Sequence, residues 1–477
     1  MSRASPYVAQ ATSPWHFVSE CPVAAAPPEA TALVFESAGG AGGARWSYAQ
    51  LDAEIRRWHG RLSGLGRTRI AVLSGNSPAL VALIHAAARA GCEIALLNTR
   101  LTAPEISAQV AQLAPSLCLA SRALAQLLPG ARILEDERPS TPLAPRSIDP
   151  SAVHALLFTS GSSGRPRAVQ LTVSALQASA RAVNQALGVD GSSRFLCSLP
   201  LFHVGGLGIV LRCALAGAVL DLHERFEARA VALALGQATH VSLVASTLAR
   251  VLDARGEFPL IQALIGGGPV PAALLERAGA AGLHAVETYG LTEASSSVTI
   301  AGLPVPGTEV RVRSGEIEVR GPTLMRGYLG EPGLQGFFRT GDLGEFDPQG
   351  RLIVHARRSD LIISGGENVY PAKIEAALLA HPNIAEAAVL PFPDPRWGQV
   401  GVAAVVLRDS STCTSSLAQV AQPESCDDSL SLSLRDFLAP QLARYKLPQR
   451  FVALPALPRT ALGKVDRPAL RALLGLG

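Results

Sequence analysis

Residues Thr159 to Arg167 read TSGSSGRPR and come directly after the apolar run Ala155 to Thr159. Small and hydroxylated residues let a backbone approach phosphate oxygens closely, and N–H groups, hydroxyls and a cation can then share the negative charge. The string has no GxxxxGK[ST], so it is not a Walker loop; taken by itself it also fits a plain Gly/Ser turn between a strand and a helix. Arg212 is the second residue with chemical consequence, because it interrupts the apolar stretch Val204 to Leu222. In lipid it would cost roughly 2.5 to 3.5 kcal/mol, so a buried helix of a water-soluble fold is expected and no integral membrane segment. Inside a protein its charge must meet a carboxylate or carbonyls. Gly365 and Gly366 in SGGEN allow close backbone approach, and by themselves they read as a glycine turn.

The elements that must position these residues alternate. Runs with strand character, Arg69 to Ser74, Ala155 to Thr159, Arg194 to Leu199 and Ala263 to Ile265, are separated by Ala/Leu-rich helical stretches, the pattern of an α/β fold with largely parallel sheets. From about Val310 the texture becomes short polar–apolar alternation, as in Glu316 to Arg320 and Arg351 to His355, which predicts a small β-rich subdomain. Near Arg357 a new α+β pattern starts, with a helix over Pro371 to Ala380 and strands at Ala385 to Leu390 and Val402 to Leu407. Two domains are therefore expected, a large one over 1–357 and a small one over 358–477. The Ser-rich stretch 409–433 lacks a stable apolar period and is expected to be a flexible surface insertion.

Bulk properties agree with two units: 477 residues exceed the size at which one hydrophobic core stops growing. The net charge of +4, from 42 Lys plus Arg and 38 Asp plus Glu, is too slight and dispersed for a nucleic-acid partner. Seven cysteines without a CxxC pair fit reduced thiols, and the first thirty residues, with Pro6, Pro14, Glu20 and Pro22, contain no apolar signal segment. A cytoplasmic protein is expected. Oligomeric state stays open, a homo-oligomer included.

An ordered series of motifs resembles the acyl-adenylate-forming (AMP-binding) enzyme superfamily across most of the chain. TSGSSGRPR is similar to its phosphate loop, GGGP at Gly266 to Pro269 to its adenine-side turn and ETYGLTE at Glu287 to Glu293 to its nucleotide motif. RTGD at Arg339 to Asp342, ARRSDLIISGGENVYP at Ala356 to Pro371 and PRTALGKVDR at Pro458 to Arg467 complete it. The resemblance implies ATP, Mg2+ and coenzyme A as co-substrates and activating ion, and a small C-terminal domain that moves about a hinge near Ser359 and Asp360 between two half-reactions. It assigns Thr159, Ser160, Gly161, Ser162, Ser163, Gly164 and Arg167 to the ATP phosphates, and Gly267, Gly268, Glu287 and Tyr289 to the adenine side. Thr292 falls to the α-phosphate, Glu293 to Mg2+, Asp342 to the ribose, and Arg357 to the ribose or a phosphate. Lys464 is implied as the lysine bridging the attacking carboxylate and the α-phosphate, and Gly365 and Gly366 as the pantetheine wall. Taken singly, each position also fits a plain structural role: a buried Tyr, a capping Thr, a type I turn at RTGD, an exposed Lys. The chain departs from the family at Arg167, where Lys is usual, at Ala168, and at Ala356, where Gly is common.

Within that superfamily, SLPLFHVGGLGIVLRCALAGAVL at Ser198 to Leu220 and THVSLV at Thr239 to Val244 are similar to 2-succinylbenzoate CoA ligases of menaquinone and phylloquinone synthesis. The resemblance implies a carboxylic-acid pocket with His203 as its gate and catalytic neighbour, and with Gly206, Arg212, Ser242 and Ser297 in contact with the acid. That acid has two carboxylates, one reacting and one spare, and Arg212 could neutralise the spare one; an Arg212 bound to a structural Asp or to carbonyls is the alternative. On an unbroken helix nine residues put His203 and Arg212 on opposite faces, and Gly205, Gly206 and Gly208 argue against an unbroken helix. Ligases of other aryl or medium-chain acids, a free-standing adenylation module loading a carrier protein, and a nucleotide sensor with a decayed site are the competing readings.

Overall fold

The computed structural model describes residues 21–38, 43–66, 68–137, 141, 143, 147–160, 166–357, 360–364, 367–395, 397–408, 428–442, 444–460 and 464–476. The chain divides into two compact units. The first holds residues up to Gly266, then Ala273–Arg311 and Val319–Phe338; the second holds Gly267–Ala272, Val312–Glu318 and everything from Arg339 onward. RTGD thus belongs to the second unit, although the sequence texture placed it with the large domain.

The first unit contains a seven-stranded and a nine-stranded sheet. Arg69–Leu73, Glu93–Leu96, Leu117–Ala120, Arg132–Ile133 and Val153–Ser160 form the parallel part of the smaller sheet. Pro166–Thr172 returns antiparallel along Val153–Ser160, and the short Gly327–Tyr328 strand closes that edge. In the larger sheet Thr31–Glu36, Val219–His223, Arg194–Cys197, His240–Val244, Ile261–Gly266 and Leu283–Leu291 run parallel, and antiparallel strands finish both edges. Parallel strands covered on both faces read as continuous apolar runs, which is why Ile70, Ala71, Val72 and Leu73 are all buried.

The helix Val204–Ala216 is continuous, contrary to the expectation from its glycines. Packing overrides propensity here. A Cβ on Gly206 would lie 2.3 Å from the Pro200 carbonyl oxygen, so the missing side chain is what lets the helix start sit against the preceding loop. Burial of Leu207, Ile209, Val210 and Leu211 offsets the roughly 1 kcal/mol that each helical glycine costs. Gly217 ends the helix at φ 68°, its N–H and that of Ala218 donating to the Cys213 carbonyl, and the buried Tyr48 hydroxyl donates to the Ala218 carbonyl at 2.8 Å.

In the second unit, Phe338–Phe346 pairs antiparallel with Leu352–Arg357, and a separate sheet gathers Ile362–Ser364, Glu367–Val369, Ile384–Asp394, Gly398–Leu407 and Arg450–Ala453. The helix Pro371–Leu379 covers that sheet together with a second helix, Asp428–Leu438. The latter corrects the extent expected for the Ser-rich insertion. Leu430, Leu434 and Leu438 recur every four residues and face the core, while Leu432 is exposed. Residues 409–427 lie outside the described residues.

Candidate active site

The string TSGSSGRPR joins two antiparallel strands, not a strand and a helix. Thr159 lies opposite Arg167 and Ser160 opposite Pro166; Gly161, Ser162, Ser163 and Gly164 lie outside the described residues. Arg167 is forked onto Glu331, with Nε 3.1 Å from one carboxylate oxygen and Nη2 2.6 Å from the other. Its guanidinium carbon sits 3.3 Å from the centroid of the Tyr328 ring. A lysine could neither fork nor stack in this way, so the arginine at this position is accounted for by its two partners. Ala168 is fully buried.

ETYGLTE ends a strand and turns. Leu283–Leu291 gives way to the short 3-10 segment Thr292–Ala294, and the chain returns as Ser296–Ile300. Gly290 is required by that return: a Cβ there would lie 2.1 Å from the Ser296 carbonyl oxygen. Ser295 and Ser296 adopt φ 56° and 131°, conformations a residue with a Cβ holds only where its surroundings over-determine it. The constraints are on view. Ser179 Oγ donates to the Ser295 carbonyl at 2.8 Å, and Ser296 Oγ accepts from Arg212 Nη2 at 2.9 Å. Glu293 is half-buried and accepts from the Tyr328 hydroxyl at 2.8 Å. Tyr289 and Thr292 are half-buried and Glu287 is exposed.

Arg212 is almost completely buried, at 1% exposure. Burial pushes its pKa down to about 10. Among the described residues it has no carboxylate partner; Ser296 Oγ is its one hydrogen-bond acceptor and its Nε has none. Asn184 donates to the Arg212 carbonyl at 3.0 Å, and a Cβ on Gly208 would stand 3.4 Å from Nη2. The serine that meets Arg212 is Ser296, whereas Ser297 Oγ lies 3.0 Å from Thr288 Oγ1 within the strand pair. Gly206 packs on Pro200. Ser242 is buried with its hydroxyl lacking a partner among the described residues. His203 occupies the N-cap of the Val204–Ala216 helix, its ring 4.5 Å from that of Phe202.

In the second unit RTGD is strand, not a type I turn. Thr340 Oγ1 donates to the Ile317 carbonyl at 2.9 Å and accepts from Asp342 N at 3.0 Å. Arg339 pairs with Glu316, whose other oxygen accepts from Gly341 N at 3.3 Å. The buried Asp342 is thereby held from both sides of its backbone, opposite Arg357 in the register. Gly267 and Gly268 are exposed. Lys464 is exposed, in a segment closed by a bridge between Arg459 and Val465 and by a 2.7 Å bond from Thr460 N to its own carbonyl. Gly365 and Gly366, between the paired Ser364 and Glu367, lie outside the described residues.

Among the described residues no helix is long and apolar enough to cross a membrane, and no three His, Cys, Asp or Glu side chains cluster as metal ligands. Cys21, Cys92, Cys118, Cys197 and Cys213 are free thiols.

The hairpin of Val153–Ser160 and Pro166–Thr172 and the turn after Leu283–Leu291 carry motifs of the adenylate-forming enzymes. The chain belongs to the AMP-binding enzyme family, which matches residues 22–329, with the AMP-binding enzyme C-terminal domain matching 373–464. It is 34% identical to the 2-succinylbenzoate–CoA ligase of Bacillus licheniformis, a likeness covering 88% of this chain and 93% of that protein. The o-succinylbenzoate CoA synthetase of Bacillus subtilis in complex with its acyl-adenylate intermediate superposes with a TM-score of 0.82 at 30% identity, over 94% of this chain and 96% of that one. The same Bacillus subtilis enzyme in complex with ATP and magnesium ion gives 0.81 at 30% identity, over 94% and 98%.

Proposed function

We propose that this chain is an ATP-dependent 2-succinylbenzoate–CoA ligase. In the first half-reaction an oxygen of the acid's carboxylate attacks the α-phosphorus of ATP and pyrophosphate leaves. In the second the thiol sulfur of coenzyme A attacks the acyl carbonyl, its proton goes to solvent or a nearby base, and AMP leaves. Thr159 to Gly164 hold the phosphates, with Thr292 at the α-phosphate; Arg167, whose Nε and Nη2 are taken by Glu331, would reach them through Nη1. Gly267, Gly268, Glu287 and Tyr289 frame the adenine, and Asp342 with Arg357 takes the ribose hydroxyls. Lys464 bridges carboxylate and α-phosphate in the first half-reaction, Gly365 and Gly366 line the pantetheine path in the second, and His203 with Ser242 and Ser297 borders the acid. Glu293 suits Mg2+: magnesium takes hard oxygen ligands and is commonly bound by one or two carboxylates plus substrate phosphates, and Glu293 offers such a carboxylate, half-buried on its turn. When bound, Mg2+ supplies charge neutralisation on the phosphates.

The observation that carries the choice of acid is Arg212. A guanidinium at 1% exposure with a serine hydroxyl as its acceptor is costly, and a spare carboxylate entering beside it removes that cost for both charges. Arg212→Ala should therefore lower kcat/KM for 2-succinylbenzoate about ten- to a hundred-fold, the value of a charge-assisted hydrogen bond, while the KM for ATP is unchanged. Arg212→Lys should recover part of the loss, because a point charge cannot reproduce the fork. Equal losses on 2-succinylbenzoate and on an analogue lacking the spare carboxylate would make Arg212 a structural residue.

A further inference from the structure

We infer that Tyr328 is a positioning residue for the Glu293 carboxylate, itself held in place by Arg167 and Glu331. The inference rests on Glu293 being the Mg2+ ligand. Three segments distant in sequence meet at this point. The strand Gly327–Tyr328 pairs with Pro166–Thr172, with Tyr328 opposite Val169, and Leu329 N donates to the Ala168 carbonyl at 2.8 Å. Two residues before that strand, Met325 N donates to the Glu293 carbonyl, also at 2.8 Å. The same short segment is thus sewn at one end to the stem of the Gly/Ser hairpin and at the other to the Thr292–Ala294 turn.

The side chains repeat the connection. Tyr328 donates its hydroxyl to Glu293 Oε1 at 2.8 Å, Arg167 stacks 3.3 Å from the centroid of the Tyr328 ring, and Glu331 forks Arg167 from the far side. A phenol carries a proton to donate and an ionised carboxylate can only accept, so the direction of the Tyr328–Glu293 bond is fixed. A glutamate on a three-residue turn, half open to solvent, would otherwise sample several rotamers, and ordering it would oppose cation binding. With Oε1 held by the phenol, the side chain is already ordered and Oε2 is left for the cation. The reading also gives the Lys-to-Arg departure at position 167 a purpose, since a planar guanidinium can stack on the phenol and pair with a carboxylate at once.

The test uses Mn2+ with ATP, without acid, so that no turnover occurs. Protein-bound Mn2+ is titrated by electron paramagnetic resonance in wild type, Tyr328→Phe and Glu293→Gln. Loss of the phenolic hydrogen bond should weaken Mn2+ binding about three- to ten-fold, Glu293→Gln should weaken it further, and excess Mg2+ should restore adenylation in Tyr328→Phe. A hydroxyl with a merely structural role would lower the melting temperature and leave the Mn2+ affinity of the folded protein unchanged. Glu293→Gln weakened with Tyr328→Phe unchanged overturns this inference alone. Mn2+ binding unchanged in Glu293→Gln overturns the metal assignment and the inference with it.

Discussion

At the residue scale the proposed choice of acid rests on Arg212 and Ser296, which combine a buried charge with a strained backbone. Ser296 holds φ 131° and its hydroxyl lies 2.9 Å from Arg212 Nη2. Since that oxygen accepts from the guanidinium, its own proton is free to be donated onward. Three residues upstream the same chain segment carries Glu293, so one turn joins the proposed acid anchor to the proposed Mg2+ ligand. Sequence alone singled out Arg212, because a cation in an apolar run is conspicuous. It did not single out Ser296 as the partner of Arg212, because in a run of three serines only the φ angles decide which hydroxyl turns toward the helix. Tyr328 and Glu331 were missed altogether. They lie in MRGYLGE, a string with no chemistry of its own until the strand pairing brings it beside Glu293.

At the scale of elements, the Val204–Ala216 helix shows glycine acting through contact instead of freedom. The Pro200 carbonyl occupies the place a Gly206 side chain would take, and both the helix and the Leu199–Pro200 loop are backbone that cannot swing aside. Gly206→Ala should cost about 1 to 3 kcal/mol, the usual penalty for overpacking, seen as a lower urea midpoint at unchanged m-value. An unchanged midpoint would show that the loop yields. Strand and helix positions across the α/β portion were legible from apolar runs, since parallel strands buried on both faces leave that signature. RTGD and the Ser-rich stretch were not. The first looks like a turn by composition, yet Thr340 and Glu316 hold it in a strand; the second conceals a leucine spacing of four behind alternating serines.

Across the whole molecule, stability has a predictable pH dependence. Burial pushes His85 down to about 3, with His154 and Arg89 adding to the shift, and burial lowers His154 as well. Both are therefore neutral in the folded state, whereas the unfolded chain binds protons at the ordinary histidine pKa of about 6.5. Below that pH the unfolded state holds more protons, so stability falls as pH drops, by about 1.4 kcal/mol per pH unit for His85, with His154 acting in the same direction. His85→Gln should flatten the slope by one such increment between pH 6.5 and 5 in urea titrations; an unaltered slope would mean that His85 charges freely in the fold. The boundary between the compact units was the least legible feature. It falls near Phe338, with two short excursions, and local texture cannot report which strands cluster in three dimensions.

The account stands most directly on substrate-dependent AMP release by the wild-type protein with ATP, Mg2+ and coenzyme A. In parallel assays with 2-succinylbenzoate, benzoate, other monocarboxylic aryl acids and medium-chain fatty acids, 2-succinylbenzoate should give the highest kcat/KM, with thioester formed in step with AMP. A protein that ignores 2-succinylbenzoate while ligating a monocarboxylic acid would contradict the account and leave the buried Arg212 without a substrate to neutralise.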